Sequence, residues 1–74
     1  MSDIRKISVG TDYKNTSMHY IVGQDVLGDS YKIHLIQAHD NGSHYIWIKG
    51  DGEVILWKSF NKNMPVTLEY NINF

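Results

Sequence analysis

From residue 66 to residue 74, apolar and polar side chains alternate without a break. Val66, Leu68, Tyr70, Ile72 and Phe74 alternate with Thr67, Glu69, Asn71 and Asn73. Successive side chains of a strand point to opposite faces, so this run predicts a strand with one apolar and one wet face. A helix would scatter the same residues around its circumference. Pro65, immediately before, lacks an N–H and suits the first position of a strand. The remaining chain reads as further short strands separated by turn residues. No stretch carries a helical stripe, and only residues 22–27 have room for a single helical turn.

Two turn signals organise the middle of the chain. Asn41-Gly42 suits a two-residue hairpin, because both residues tolerate positive φ. It predicts strands over residues 31–38 and 44–49, with Asp40 opposite Ser43, His39 opposite His44, Gln37 opposite Ile46 and Leu35 opposite Ile48. Gly50-Asp51-Gly52 suits a three-residue loop with glycine in the left-handed position. It predicts Lys49 opposite Glu53, Ile48 opposite Val54, Ile46 opposite Leu56 and Tyr45 opposite Trp57. The two registers agree. They put Tyr31, Ile33, Leu35, Ile46, Ile48, Val54 and Leu56 on a core face. His34, Ile36, Ala38, Tyr45, Trp47, Lys49, Glu53, Ile55 and Trp57 fall on the other. Residues 4–9 and 18–22 predict two N-terminal strands, residues 11–17 a polar loop, and residues 23–30 a connection. The expected fold is all-β: an antiparallel meander of about five to six strands, closed as an SH3-like or similar barrel or as a two-layer sandwich.

Size limits what such a fold can hold. Seventy-four residues make one domain. A chain this short buries only about 60% of the surface it exposes when unfolded. It has no cysteine, which excludes disulfides and thiolate metal sites and leaves packing or oligomerisation as support. Seven basic and eight acidic residues give a net charge of −1. That balance argues against strong nucleic-acid binding, which depends on phosphate neutralisation. No apolar run approaches the ~20 residues of a membrane helix, and no secretory signal is expected. The expected location is therefore cytoplasmic. Asn15-Thr16-Ser17 and Asn41-Gly42-Ser43 fit the glycosylation sequon, but without a secretory route both read as polar turns.

Catalytic spacing is lacking. The carboxylates Asp3, Asp12, Asp25, Asp29, Asp40, Asp51, Glu53 and Glu69 fall mostly at turns, where they bond to nearby backbone. His39 and His44 are expected across one hairpin end, with His19 and His34 elsewhere, and no four-ligand metal set follows. No helix follows Gly50-Asp51-Gly52, so it is not a phosphate loop. A domain of this size offers little room for a ligand pocket of about 300–1,000 Å³. No enzyme, cofactor or metal is expected.

The second face of the central hairpin is the candidate site. Tyr45, Trp47, Ile55 and Trp57, with Ile36 beside Trp47, would make it apolar where an antiparallel sheet ordinarily turns to water. Two readings stay open. The N-terminal strands could cover it with Ile4, Ile7, Val9, Met18, Tyr20 and Val22. Alternatively it is a partner-binding surface, since Trp and Tyr clusters anchor interfaces. With Lys49 and Lys58 nearby, a single-stranded nucleic acid or a nucleotide trapped between subunits is the alternative ligand.

The opening residues, from Met1-Ser2-Asp3-Ile4-Arg5-Lys6 to Gly10, resemble those of small accessory proteins of T-even-type tailed bacteriophages. So do Trp57-Lys58-Ser59-Phe60 and the closing run from Met64-Pro65-Val66 to Phe74, and the cysteine-free composition rich in Asn, Lys, Tyr and Ile. The resemblance implies an early-expressed protein in the host bacterial cytoplasm that binds and inhibits a host or defence protein. It assigns no residue a role. A homodimer or higher homo-oligomer is a further expectation, because near-zero net charge does little to oppose self-association. The last strand offers one edge for it.

Overall fold

A computed structural model describes residues 3–10 and 17–71. The predicted loop at residues 11–17 therefore lies almost wholly outside the described residues, with the Asn15 sequon. The end of the last predicted strand, residues 72–74, lies outside them too.

The fold is all-β. Among the described residues seven strands run in chain order: β1 (Ile4–Gly10), β2 (Ser17–Ile21), β3 (Asp25–Val26), β4 (Tyr31–Ala38), β5 (His44–Gly50), β6 (Glu53–Phe60) and β7 (Val66–Tyr70). They form two antiparallel sheets, a three-stranded one ordered β2-β1-β7 and a four-stranded one ordered β3-β4-β5-β6. The predicted central strands form, as do the N-terminal pair and the alternating strand after Pro65. Residues 22–27 contain no helical turn. The chain bends there from one sheet into the other, and β3 pairs with β4 through Asp25↔Lys32 and Val26↔Tyr31. Gly23 N–H donates to Ile33 O and Ile33 N–H to Gln24 O, extending that pairing around the corner.

Both central turns differ from expectation, and they differ in opposite senses. The first is a three-residue loop. Gly42 N–H donates to His39 O and His39 N–H to Ser43 O, with Gly42 at φ 92°. This is a turn followed by a left-handed glycine that forms a bulge. Asn41 Oδ1 stabilises it by accepting from Ser43 N–H at 3.0 Å and from Ser43 Oγ–H at 2.6 Å. The second turn has only two residues, Asp51 (φ 51°) and Gly52 (φ 77°), between paired Gly50 and Glu53. Two positive φ values mark the hairpin turn whose twist matches that of its strands.

Three bulges complete the registers. Arg5 in β1, His34 in β4 and Trp57 in β6 are each the extra residue where pairing shifts by one. A bulge turns residues three apart onto one face. Ile4 and Ile7 thus both enter the core, as do Ile33 and Ile36. Ile7, Ile33, Ile46 and Ile48 are fully buried, and Val9, Tyr20 and Val26 join them, with Trp57, Phe60, Val66 and Leu68 packed around. Burying an isoleucine contributes about 1.5–3 kcal/mol, so the four central ones make up much of what holds a domain of this size folded.

Candidate functional site

Cross-strand partners share a face of the sheet, so the registers determine what each sheet turns outward. The three-stranded sheet turns out Lys6, Ser8, His19, Thr67 and Glu69. Ser8 Oγ and His19 Nδ1 lie 2.8 Å apart, and Arg5 and Lys6 each reach Glu69 at 3.9 Å. That outer face is mostly polar, with Ile21 opposite Lys6 as an exposed apolar residue at its end.

The four-stranded sheet does the opposite. Leu35 pairs with Trp47 and Trp47 with Leu56, which makes one cross-strand row. Leu35 is 42% exposed and Leu56 46%. Tyr45 lies on the same face, between Gln37 and Ser59. The Trp47 indole N–H donates to Gln37 Oε1 at 3.0 Å, which restrains the ring and satisfies its one polar atom. The His39 ring packs against Tyr45, 4.1 Å between centroids with the planes tilted by 46°. On the other side of the row Lys32, Lys49 and Val54 are successive partners, with Val54 46% exposed.

This surface is not the one predicted from sequence. Tyr45 and Trp47 lie on the outer face as expected. Ile36 does not: the bulge at His34 turns it inward, to 2% exposure. Ile55 pairs with Ile48 and so belongs to the inner face, at its margin. Trp57 is not opposite Tyr45, whose partner is Ser59. It packs instead against Tyr20 of the other sheet, 5.7 Å between centroids and nearly perpendicular, with Lys58 Nζ 4.8 Å above its ring. Leu35, Val54 and Leu56, assigned to the core by sequence, line the outer face. Each exchange follows from a one-residue change of register, which carries side chains to the opposite face. The N-terminal strands do cover the hairpin, with Ile4, Ile7, Val9 and Tyr20, but they cover its other side.

Edges matter as well. β6 pairs with β5 on one side and with no described strand on the other. Val54, Ile55 and Leu56 are consecutive exposed apolar residues on it. An open edge with apolar side chains is a template for another strand.

The histidines do not assemble. His44 pairs with Ala38 on the inner face, while His39 lies on the outer face against Tyr45, so the two are not cross-strand partners. His39 Nε2 and His44 Nδ1 are buried without a partner among the described residues. No group of three or more His, Asp or Glu that could hold a metal occurs among them. No helix among the described residues is long and apolar enough to cross a membrane. In comparisons with protein-family models, with curated proteins and with solved structures, nothing matches this chain.

Proposed function

We propose that this chain is a non-enzymatic interaction module that docks on another protein through the outer face of its four-stranded sheet and the adjoining β6 edge. One observation carries the reading. The row Leu35, Trp47 and Leu56 faces outward across three strands of one sheet, while the outer face of the companion sheet is mostly polar and carries only Ile21 as an apolar residue among its described positions. Exposed apolar patches bounded by polar groups mark interaction sites, and a Trp held in place by its own hydrogen bond is a rigid anchor. The partner's chemistry follows from the border of the row. Lys32 and Lys49 flank it on one side, so the complementary segment is apolar with an acidic end and adds as a strand along β6. The resemblance to phage accessory proteins supports a host or defence protein as its source.

The test is capture from bacterial lysate with the native chain and with Trp47→Ser and Leu56→Lys, each first shown to be folded. One captured protein lost with both variants supports the reading. Equal capture by all three removes it. Self-association is the second reading, favoured by the open β6 edge. Sedimentation of the same proteins tests it: a concentration-dependent dimer abolished by Leu56→Lys supports it, and a monomer at high concentration opposes it.

A further inference from the structure

We infer that the cleft between the sheet corner and the β4 bulge is a binding site for an oxyanion, a carboxylate or a phosphate. A cavity of about 290 Å³ lies there, lined by Val22, Gly23, Lys32, Ile33, His34 and Lys49. Two features indicate its ligand. Lys32 and Lys49 are direct cross-strand partners, and like charges placed opposite one another oppose sheet formation. Only Lys32 is offset, by an ion pair with Asp25. Lys49 has no carboxylate within ion-pair distance among the described residues, and no acidic side chain lines the cavity. The second feature is His34. It lies two residues from Lys32, so strand alternation keeps its imidazole on the lysines' side of the sheet, and it lines the same cavity.

The geometry suits a small anion. The amides of Val22 and Gly23 are already donated, to Arg5 O and Ile33 O, so they shape the wall and supply no free donor. The Lys49 ammonium and the His34 imidazole remain as donors at the rim, while the Lys32 ammonium is already engaged by Asp25. An oxyanion beside Lys49 offsets the charge that Asp25 leaves uncompensated and gains charge-assisted hydrogen bonds. The volume admits a carboxylate or a single phosphate with a short attachment, and it is too small for a dinucleotide. The site stands on this geometry alone and does not depend on the proposed docking face.

The experiment is an amide NMR titration of the full chain with inorganic phosphate, with acetate, and with sodium chloride at matched ionic strength. Saturable shifts clustered at Val22, Gly23, Lys32 and His34 with phosphate or acetate, absent with chloride, are expected. The stronger of the two identifies the source chemistry. Lys49→Gln is expected to weaken the binding about tenfold, the loss of roughly one charged hydrogen bond, and Lys49→Arg to retain it. His34→Gln serves as a second variant, with a smaller loss. Shifts that never saturate, that are equal in chloride, or that survive Lys49→Gln undiminished overturn the proposal.

Discussion

The rings of Tyr20 and Trp57 meet edge to face, 5.7 Å apart with an interplanar angle of 87°. Tyr20 lies on β2 and Trp57 is the bulged residue of β6, so this contact joins one strand from each sheet. Perpendicular aromatic pairs contribute about 0.5–1.5 kcal/mol beyond the area they bury. Trp57→Ala is expected to lower stability by about 2–4 kcal/mol. A double-mutant cycle with Tyr20→Leu should recover a coupling within that aromatic range. Urea denaturation measures both, and a coupling near zero would mean that the rings are merely adjacent.

The two tryptophans should behave oppositely. Trp47 lies on the outer face, where its indole N–H bonds Gln37. Trp47→Ser therefore leaves the core untouched and is expected to change stability by less than about 1 kcal/mol. A urea midpoint shifted as far as that of Trp57→Ala would contradict the placement of Trp47.

Gly50 lies beneath the Tyr31 ring. A Cβ there would fall 2.4 Å from Ser30 O and 2.7 Å from Tyr31 Cδ2. The ring is also held by its hydroxyl, which donates to Glu53 Oε1 at 2.9 Å. Gly50→Ala forces ring and backbone apart and is expected to cost about 1–3 kcal/mol. Gly50→Ala combined with Tyr31→Ala should recover part of that loss in the same denaturation experiment, unless Ser30 alone sets the limit.

Alkaline pH should weaken the fold at one end of the four-stranded sheet. The hydrogen bond to Glu53, followed by that carboxylate's charge, raises the pKa of Tyr31. The hydrogen bond to Asp25, followed by its charge, raises that of Lys32. A raised value means that the folded chain holds the proton more tightly. Both contributions are thus complete below about pH 10 and are lost as pH climbs through the folded values. Denaturation midpoints should fall over that alkaline range, and Tyr31→Phe should make the decline shallower. An equally steep decline in that variant would point to other groups.

Strand content was readable because period-two alternation and turn residues are local signals. Residues 31–38 and the strand after Pro65 follow directly from them. Facing was not readable, because it depends on parity. Asn41-Gly42 can close a loop of two residues or of three, and so can Gly50-Asp51-Gly52. The side-chain bonds of Asn41 to Ser43 favour three in the first, and paired left-handed residues favour two in the second. The bulges did leave a trace: isoleucines three apart in strand segments, Ile4 with Ile7 and Ile33 with Ile36. Regular alternation cannot bury both members of such a pair. Because these effects move residues by one place each, the candidate surface kept Tyr45 and Trp47 and exchanged Ile36, Ile55 and Trp57 for Leu35, Leu56 and Val54.

The bulge at His34 can be tested directly. Deleting His34 leaves Ile33 and Ile36 two apart, so regular pairing keeps Ile33 opposite Ile48, Leu35 opposite Trp47 and Ile36 opposite Ile46, and both isoleucines stay in the core. The deletion is therefore expected to keep a cooperative thermal transition by circular dichroism, as is His34→Gly. A deletion variant that loses its transition would show that the bulge itself, and not only the facing of the two isoleucines, is required.

The four-stranded sheet has unequal flanks, β3 with two residues and β6 with eight. Growth in register can proceed from one flank only. Two copies joined antiparallel along β6 would consume that flank in both and leave the short β3 at each end of an eight-stranded sheet. Such an assembly stops at two, whereas a sheet with two long flanks could run on into a filament.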